Sequence, residues 1–182
     1  MIRKALDGLY LLSGILAGLF LLAIFGLMIA LSAGREFGLN VPAGDDFTAW
    51  CMAAMAFLGL AHTFKAGDMI RVGLLLERLH GRSRQAAELL ALTIGIAFLA
   101  YFAKNAVQLA YESMLFKDMS QGVIAVPLWI PQSGYAAGLV ILLIAMLDEF
   151  VHVAGGNRPR YEKEPATSPD ELVERIAAGG GV

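Results

Sequence analysis

Residues 57–79 read FLGLAHTFKAGDMIRVGLLLERL, and the stretch changes character half-way. Phe57 to Phe64 closes an apolar run. After it, Lys65, Asp68, Arg71, Glu77 and Arg78 are set among leucines and valines. The chain is predicted to leave a bilayer after Phe64, turn at Gly67 and continue along the membrane surface. Val72, Leu75, Leu76 and Leu79 recur at i, i+3, i+4 and i+7, one face of a helix over about 70–80. Arg71 and Arg78 flank that face. Such a helix rests its leucines in the acyl boundary and its arginines at the lipid phosphates.

Working outward, the rest of the chain is membrane-like. Of its 182 residues 58% are hydrophobic and 16% charged, against about 25% charged in a soluble domain. A helix needs about 20 apolar residues to cross a hydrocarbon core of about 30 Å. Charge-free runs cover Gly8–Gly34, Phe47–Phe64, Leu89–Ala103 and Gly122–Leu147. They predict an all-α integral membrane protein with four transmembrane helices, at about 9–33, 47–65, 87–110 and 131–150. The third run is short, so its helix must continue past Lys104. The first is too long for the core of a cleavable signal peptide and reads as a retained span. Residues 1–153 thus form one membrane domain, with the interfacial helix between spans two and three. The tail, 154–182, is polar, rich in Gly and Pro and expected to be mostly disordered and cytoplasmic. Within it, Ser168, Pro169 and Glu171 are compatible with one short capped helix.

Orientation follows from the basic residues. Eleven of the fourteen lie before span one, between spans two and three, or after span four. The positive-inside rule places those segments, and both termini, in the cytoplasm. On the other side, Asp46 is expected to cap the second helix. The segment VPLWIPQSGY carries Pro127 and Pro131, so irregular backbone is expected to about Ile130 and helix from Pro131. Trp129 then anchors at the outer interface. Lys104, Gln108 and Glu112, four residues apart with Asn105 beside them, form a polar stripe toward the outer end of span three. It reads either as a contact with a partner or pathway, or as a lysine snorkelling to headgroups where the helix emerges.

Little in the sequence supports catalysis. Pumps and ion pathways place charge inside spans, and here Glu88, Lys104 and Asp148 all fall near the ends of the charge-free runs. Ser13 and Ser133 sit in no nucleophile motif. Cys51 is alone and reads as a small apolar filler. Orientation accounts for the basic residues, so no nucleic-acid partner is implied. The alternative is a haem-binding membrane anchor of a respiratory enzyme, with His62 and His152 as candidate axial ligands. The residues by themselves support a non-enzymatic membrane subunit.

The opening stretch also carries a resemblance. With Phe57, Leu58, Gly59, Lys65, Gly67, Ile70, Val72 and Leu74, it resembles the signature of the small, DctQ-like membrane subunit of TRAP (tripartite ATP-independent periplasmic) transporters. DDFTAW leading into span two and LWIPQSGYAAG opening span four agree, and the likeness covers roughly residues 5–153. Met69 and Gly73 depart from it, standing where the family commonly has His and Asp. The resemblance implies a non-catalytic small permease subunit in a bacterial inner membrane. It implies a large DctM-like elevator subunit and a periplasmic DctP-like binding protein as partners, organic acids as substrates, and a sodium gradient used by the large subunit. No cofactor is implied for this chain. Lys65, Arg71, Arg78 and Trp129 would anchor it to lipid. Gly14 with Gly18, and Gly134 with Gly138, are candidate small-residue pairs for packing on the large subunit's scaffold.

Overall fold

A computed structural model describes residues 2–38, 42–67 and 82–157. The described residues form four long helices: α1 (Ile2–Glu36), α2 (Gly44–Ala66), α3 (Arg82–Leu115) and α4 (Trp129–Ala154). All four are long and apolar enough to cross a membrane, and each extends past the span expected for it. The interfacial helix expected over 70–80 and most of the polar tail lie outside the described residues.

The helix ends follow local chemistry. Arg35 sits in the last turn of α1, where a cation complements the helix dipole. Gly38 then turns the chain with φ +67. The expected cap of α2 is corrected. Ala43 occupies that position in a left-handed conformation and no side chain caps the helix. Asp46 lies inside the first turn with Asp45, too far along to cap, and both favour the helix through its dipole. At the other end Gly67 adopts φ 75 and returns its N–H to the Phe64 carbonyl, the left-handed ending that glycine permits. The start of α4 also differs from expectation. Helix begins at Trp129, before Pro131. Pro131 is then the third residue of the helix, where no amide has an intrahelical acceptor and proline costs little.

The helices stand in a row. α1 packs on α2, α2 on α4, and α4 on α3; α1 meets α4 only slightly, and among the described residues the α3 backbone approaches neither α1 nor α2 closely. The row draws together at the end carrying the 67–82 connection, which the distribution of Lys and Arg predicts to be the inner one. There Tyr10, Ala61, Phe64, Leu92, Leu142, Ala145 and Val153 form one cluster contributed by all four helices. Among the described residues, contacts otherwise run mainly between neighbours in the row, and the outward side of α1 is bare. On α1, Leu22 is 65% and Phe25 64% exposed. Side chains so apolar and so bare belong against lipid or another protein.

The connection between α3 and α4 is a small hairpin. Met119 bridges to Pro127, Ser120 N–H donates to the Val126 carbonyl at 2.8 Å and Leu128 N–H to Asp118 at 3.0 Å. Gly122 lies against the Asp46 carboxylate, which ties the hairpin to the outer end of α2.

Candidate functional site

Four of the sequence-predicted residues are the paired glycines, and three face other helices of this chain. A Cβ at Gly138 would fall on the backbone of Phe57 and Leu58, and one at Gly134 would meet the Ala54 Cβ at 2.9 Å. These two glycines let α2 and α4 approach backbone to backbone. Gly14 receives the His62 ring, 2.8 Å from where its Cβ would be. Gly18 has nothing within 4 Å, so of the four it alone has open space for a partner. Gly59, which no spacing singled out, does similar work by meeting Ala17.

At the inner end Lys65 pairs with Asp7 of α1 and lies 5.4 Å from the centre of the Tyr10 ring. The pair is half-exposed, as fits a wet membrane boundary. Arg84 contacts Glu88 at 3.2 Å, and the Gln85 amide donates to the Val153 carbonyl at 3.0 Å, tying α3 to α4. Glu88 and Glu149 are buried, and no feature of the sequence marks them out. Arg71 and Arg78 lie outside the described residues. At the outer end Trp129 opens α4 and is 39% exposed. Ser13 and Ser133 donate to the carbonyls of Tyr10 and Ile130, back into their own helices.

The polar stripe on α3 proves deeper than its sequence position suggests. Ala103 and Ala106 pack on Ala136 and Leu139, with Phe57 against the same cluster. Phe57 is eight residues from Lys65 and eleven from Asp46, about 12 Å and 16 Å along α2. Lys104 therefore sits level with the middle of α2, not at the end of a span. The charge-free run stops at Ala103, but depth is set by the neighbours α3 packs on. Lys104, Asn105 and Gln108 are exposed, on the side of α3 opposite the α4 contact. Gln108 Nε2 donates to Glu112 at 2.8 Å and Asn105 Nδ2 to the Tyr101 carbonyl at 2.7 Å. Among the described residues Lys104 has no ion pair. A bare lysine in the centre of a lipid-facing helix costs about 2.5–3.5 kcal/mol on insertion scales.

Four apolar helices in a row now have a family to belong to. The model of the family described as tripartite ATP-independent periplasmic transporters, DctQ component, matches residues 24–156. The chain belongs to the DctQ family. No curated protein matches it.

As a DctQ component the chain is a multi-pass membrane protein, part of a TRAP transporter and not an enzyme. The match spans α2, α3, α4 and the last third of α1. It also sets aside the haem anchor. His62 lies on the α1 side of α2 against Gly14, whereas His152 is on α4. The fitted residues Phe57, Leu58 and Gly59 have packing roles in this row: Phe57 and Leu58 supply the backbone on which Gly138 rests, and Gly59 meets Ala17.

Proposed function

We propose that this DctQ chain is the small permease subunit of a sodium-coupled TRAP transporter for organic acids, and that it widens and anchors the scaffold of a large, DctM-like elevator subunit. A DctP-like periplasmic protein delivers the substrate, and the large subunit holds the substrate and sodium sites. The observation that carries this reading is the row of helices. A closed four-helix bundle hides its contacts inside, whereas a row offers long apolar flanks to a neighbouring membrane protein and to lipid. An elevator needs an immobile reference, and a broader scaffold resists being dragged through the bilayer.

Both termini and the 67–82 connection lie in the cytoplasm in this reading, in a bacterial inner membrane, as the distribution of Lys and Arg supports. The amphipathic pattern of the sequence over 70–80 supports lipid-phosphate contacts by Arg71 and Arg78, with Lys65 at the same boundary and Trp129 at the opposite one. Gly18 remains a candidate contact for the scaffold. Among the described residues Lys104 faces outward, away from the α4 contact, and so lines no path through the row.

The test is reconstitution in vesicles with a sodium gradient. The three-part system is expected to take up an organic acid, and the same system without this chain to lose most of that uptake. The chain alone is expected to move none. Sodium-dependent uptake by the purified chain would refute the accessory role.

A further inference from the structure

The two outward surfaces of the row differ in chemistry. On α1 the exposed side chains from Leu19 to Ile29, among them Leu22, Phe25 and Met28, are all apolar and suit acyl chains. On α3 the exposed face begins apolar, with Leu90 and Ile94. It passes through Tyr101, 67% exposed, and then becomes Lys104, Gln108 and Glu112. These positions are three, four or seven residues apart, so they share one side of the helix. Lys104 is level with Phe57 in the middle of α2. The ammonium lies farther from either boundary than its four-carbon stem can reach. Lipid offers no partner at that depth, and neither does this chain among its described residues.

We propose that this face of α3, centred on Lys104, Gln108 and Glu112, is the surface on which the large membrane subunit docks, with a carboxylate or free carbonyl of that subunit meeting Lys104 near mid-membrane. The proposal rests on the reading of the chain as a small permease subunit and adds which helix and which residues make the contact. Charge at a fixed depth selects the occupant. Two copies of this chain related by an axis normal to the membrane would bring Lys104 level with Lys104. The acid on the same face, Glu112, lies two turns away, about 12 Å along the helix. A second copy therefore supplies repulsion where the face needs an acceptor. A different protein with an acceptor at that level satisfies it, and the upper rungs, Gln108 bonded to Glu112, then form a polar seam running outward.

Photo-crosslinking in the assembled transporter tests the face. A benzophenone amino acid placed at Tyr101 or Gln108 is expected to yield adducts with the large subunit, and the same probe at Phe25 of α1 mainly lipid adducts. Adducts from 101 and 108 that contain a second copy of this chain, or only lipid, overturn the proposal. So do large-subunit adducts from 25 without any from 101 or 108; in that case the function proposed above stands and only the face is wrong. Failure of the large subunit to copurify with the wild-type chain removes both. In a second arm, Lys104→Leu makes α3 more apolar, so insertion is preserved. It is expected to lower the amount of large subunit retained through a detergent wash by about threefold or more, and Lys104→Arg to retain it. Retention by the leucine variant equal to wild type overturns the proposal.

Discussion

The seam between α2 and α4 and the outward face of α3 lie at the same depth and are built on opposite plans. In the seam, Gly134 and Gly138 remove side chains so that two backbones meet, with Ala54 and Phe57 directly opposite. On α3, Lys104 and Gln108, also four residues apart, project polar groups outward with no partner on a neighbouring helix. In a membrane both plans are ways of holding helices together, since apolar side chains gain nothing from leaving lipid for one another. The difference teaches that a small-residue spacing and a polar spacing answer different needs. Close packing is satisfied within this chain, whereas a polar group at depth needs an acceptor from outside it.

The largest expected effect comes from filling the seam. At Gly138 a Cβ would overlap backbone, which cannot rotate away as a side chain can. Gly138→Leu is expected to separate α2 from α4 and leave no detergent-stable subunit, read as loss of a monodisperse peak in size-exclusion chromatography. Gly138→Ala places that Cβ against the backbone of Phe57 and Leu58 and is expected to cost about 1–3 kcal/mol. A leucine variant as stable as wild type would mean that the backbone contact at Phe57 is absent in the membrane.

The next effect concerns the inner boundary, away from both regions. Arg71→Glu with Arg78→Glu removes two attractions of about 1 kcal/mol each to an anionic surface and adds repulsion. Insertion is expected to be normal, because the spans keep their apolar length. Thermal stability of the complex with the large subunit, and uptake by the full system, are expected to fall. If the correctly inserted double variant matches wild type in both, the 67–82 connection is an orientation signal and nothing more.

Much of this fold can be read from residue order, and the comparison shows where reading stops. The existence of four helices follows from the charge-free runs, and the turn that ends α2 from Gly67, because those signals are local; the other ends do not, since every helix runs past its expected span and Asp46 does not cap α2. The order α1, α2, α4, α3 across the row is a matter of which faces meet, and no single helix records it. Gly14 and Gly18 make the point at one turn's separation. They have identical chemistry and spacing, yet Gly14 receives the His62 ring and Gly18 receives nothing. Depth was misjudged for the same reason. The end of an uncharged run is a property of one helix, whereas the level of Lys104 is fixed by Ala136 and Leu139 on another. Asp46, expected to cap α2, instead lies against Gly122 of a hairpin more than seventy residues away.

The glycines supply a third, smaller prediction whose sign separates the inside of the row from the outside. Gly134→Ala brings two Cβ atoms to 2.9 Å, and a small shift of α4 is expected to cost about 1 kcal/mol. Gly18→Ala, with nothing within 4 Å, gains helix propensity of at most about 1 kcal/mol and is expected to raise the melting temperature of the isolated subunit slightly. Should Gly18→Ala weaken the assembled complex while stabilising the free chain, Gly18 would join the surface that meets the scaffold.

The smallest expected effect is the one that most sharpens the contrast. Lys104→Leu is expected to leave the stability of the isolated chain within about 0.5 kcal/mol of wild type. Lys104 touches neither α2 nor α4, and in the free subunit its side chain faces the surrounding detergent or lipid whether the helices are packed or apart. Removing it therefore changes the packed and separated states alike. The measurement is thermal unfolding of the purified chain, run beside Gly138→Ala as the case in which a single methyl group is costly. A marked loss of stability in free Lys104→Leu would mean that the lysine is tied to a helix of its own chain, and that the outward face of α3 is part of the fold. Neutral behaviour in the free chain together with a weakened complex places the whole role of Lys104 in the contact with another protein. That pairing of results separates the polar face of α3 from the glycine seam, where the free chain already feels every change.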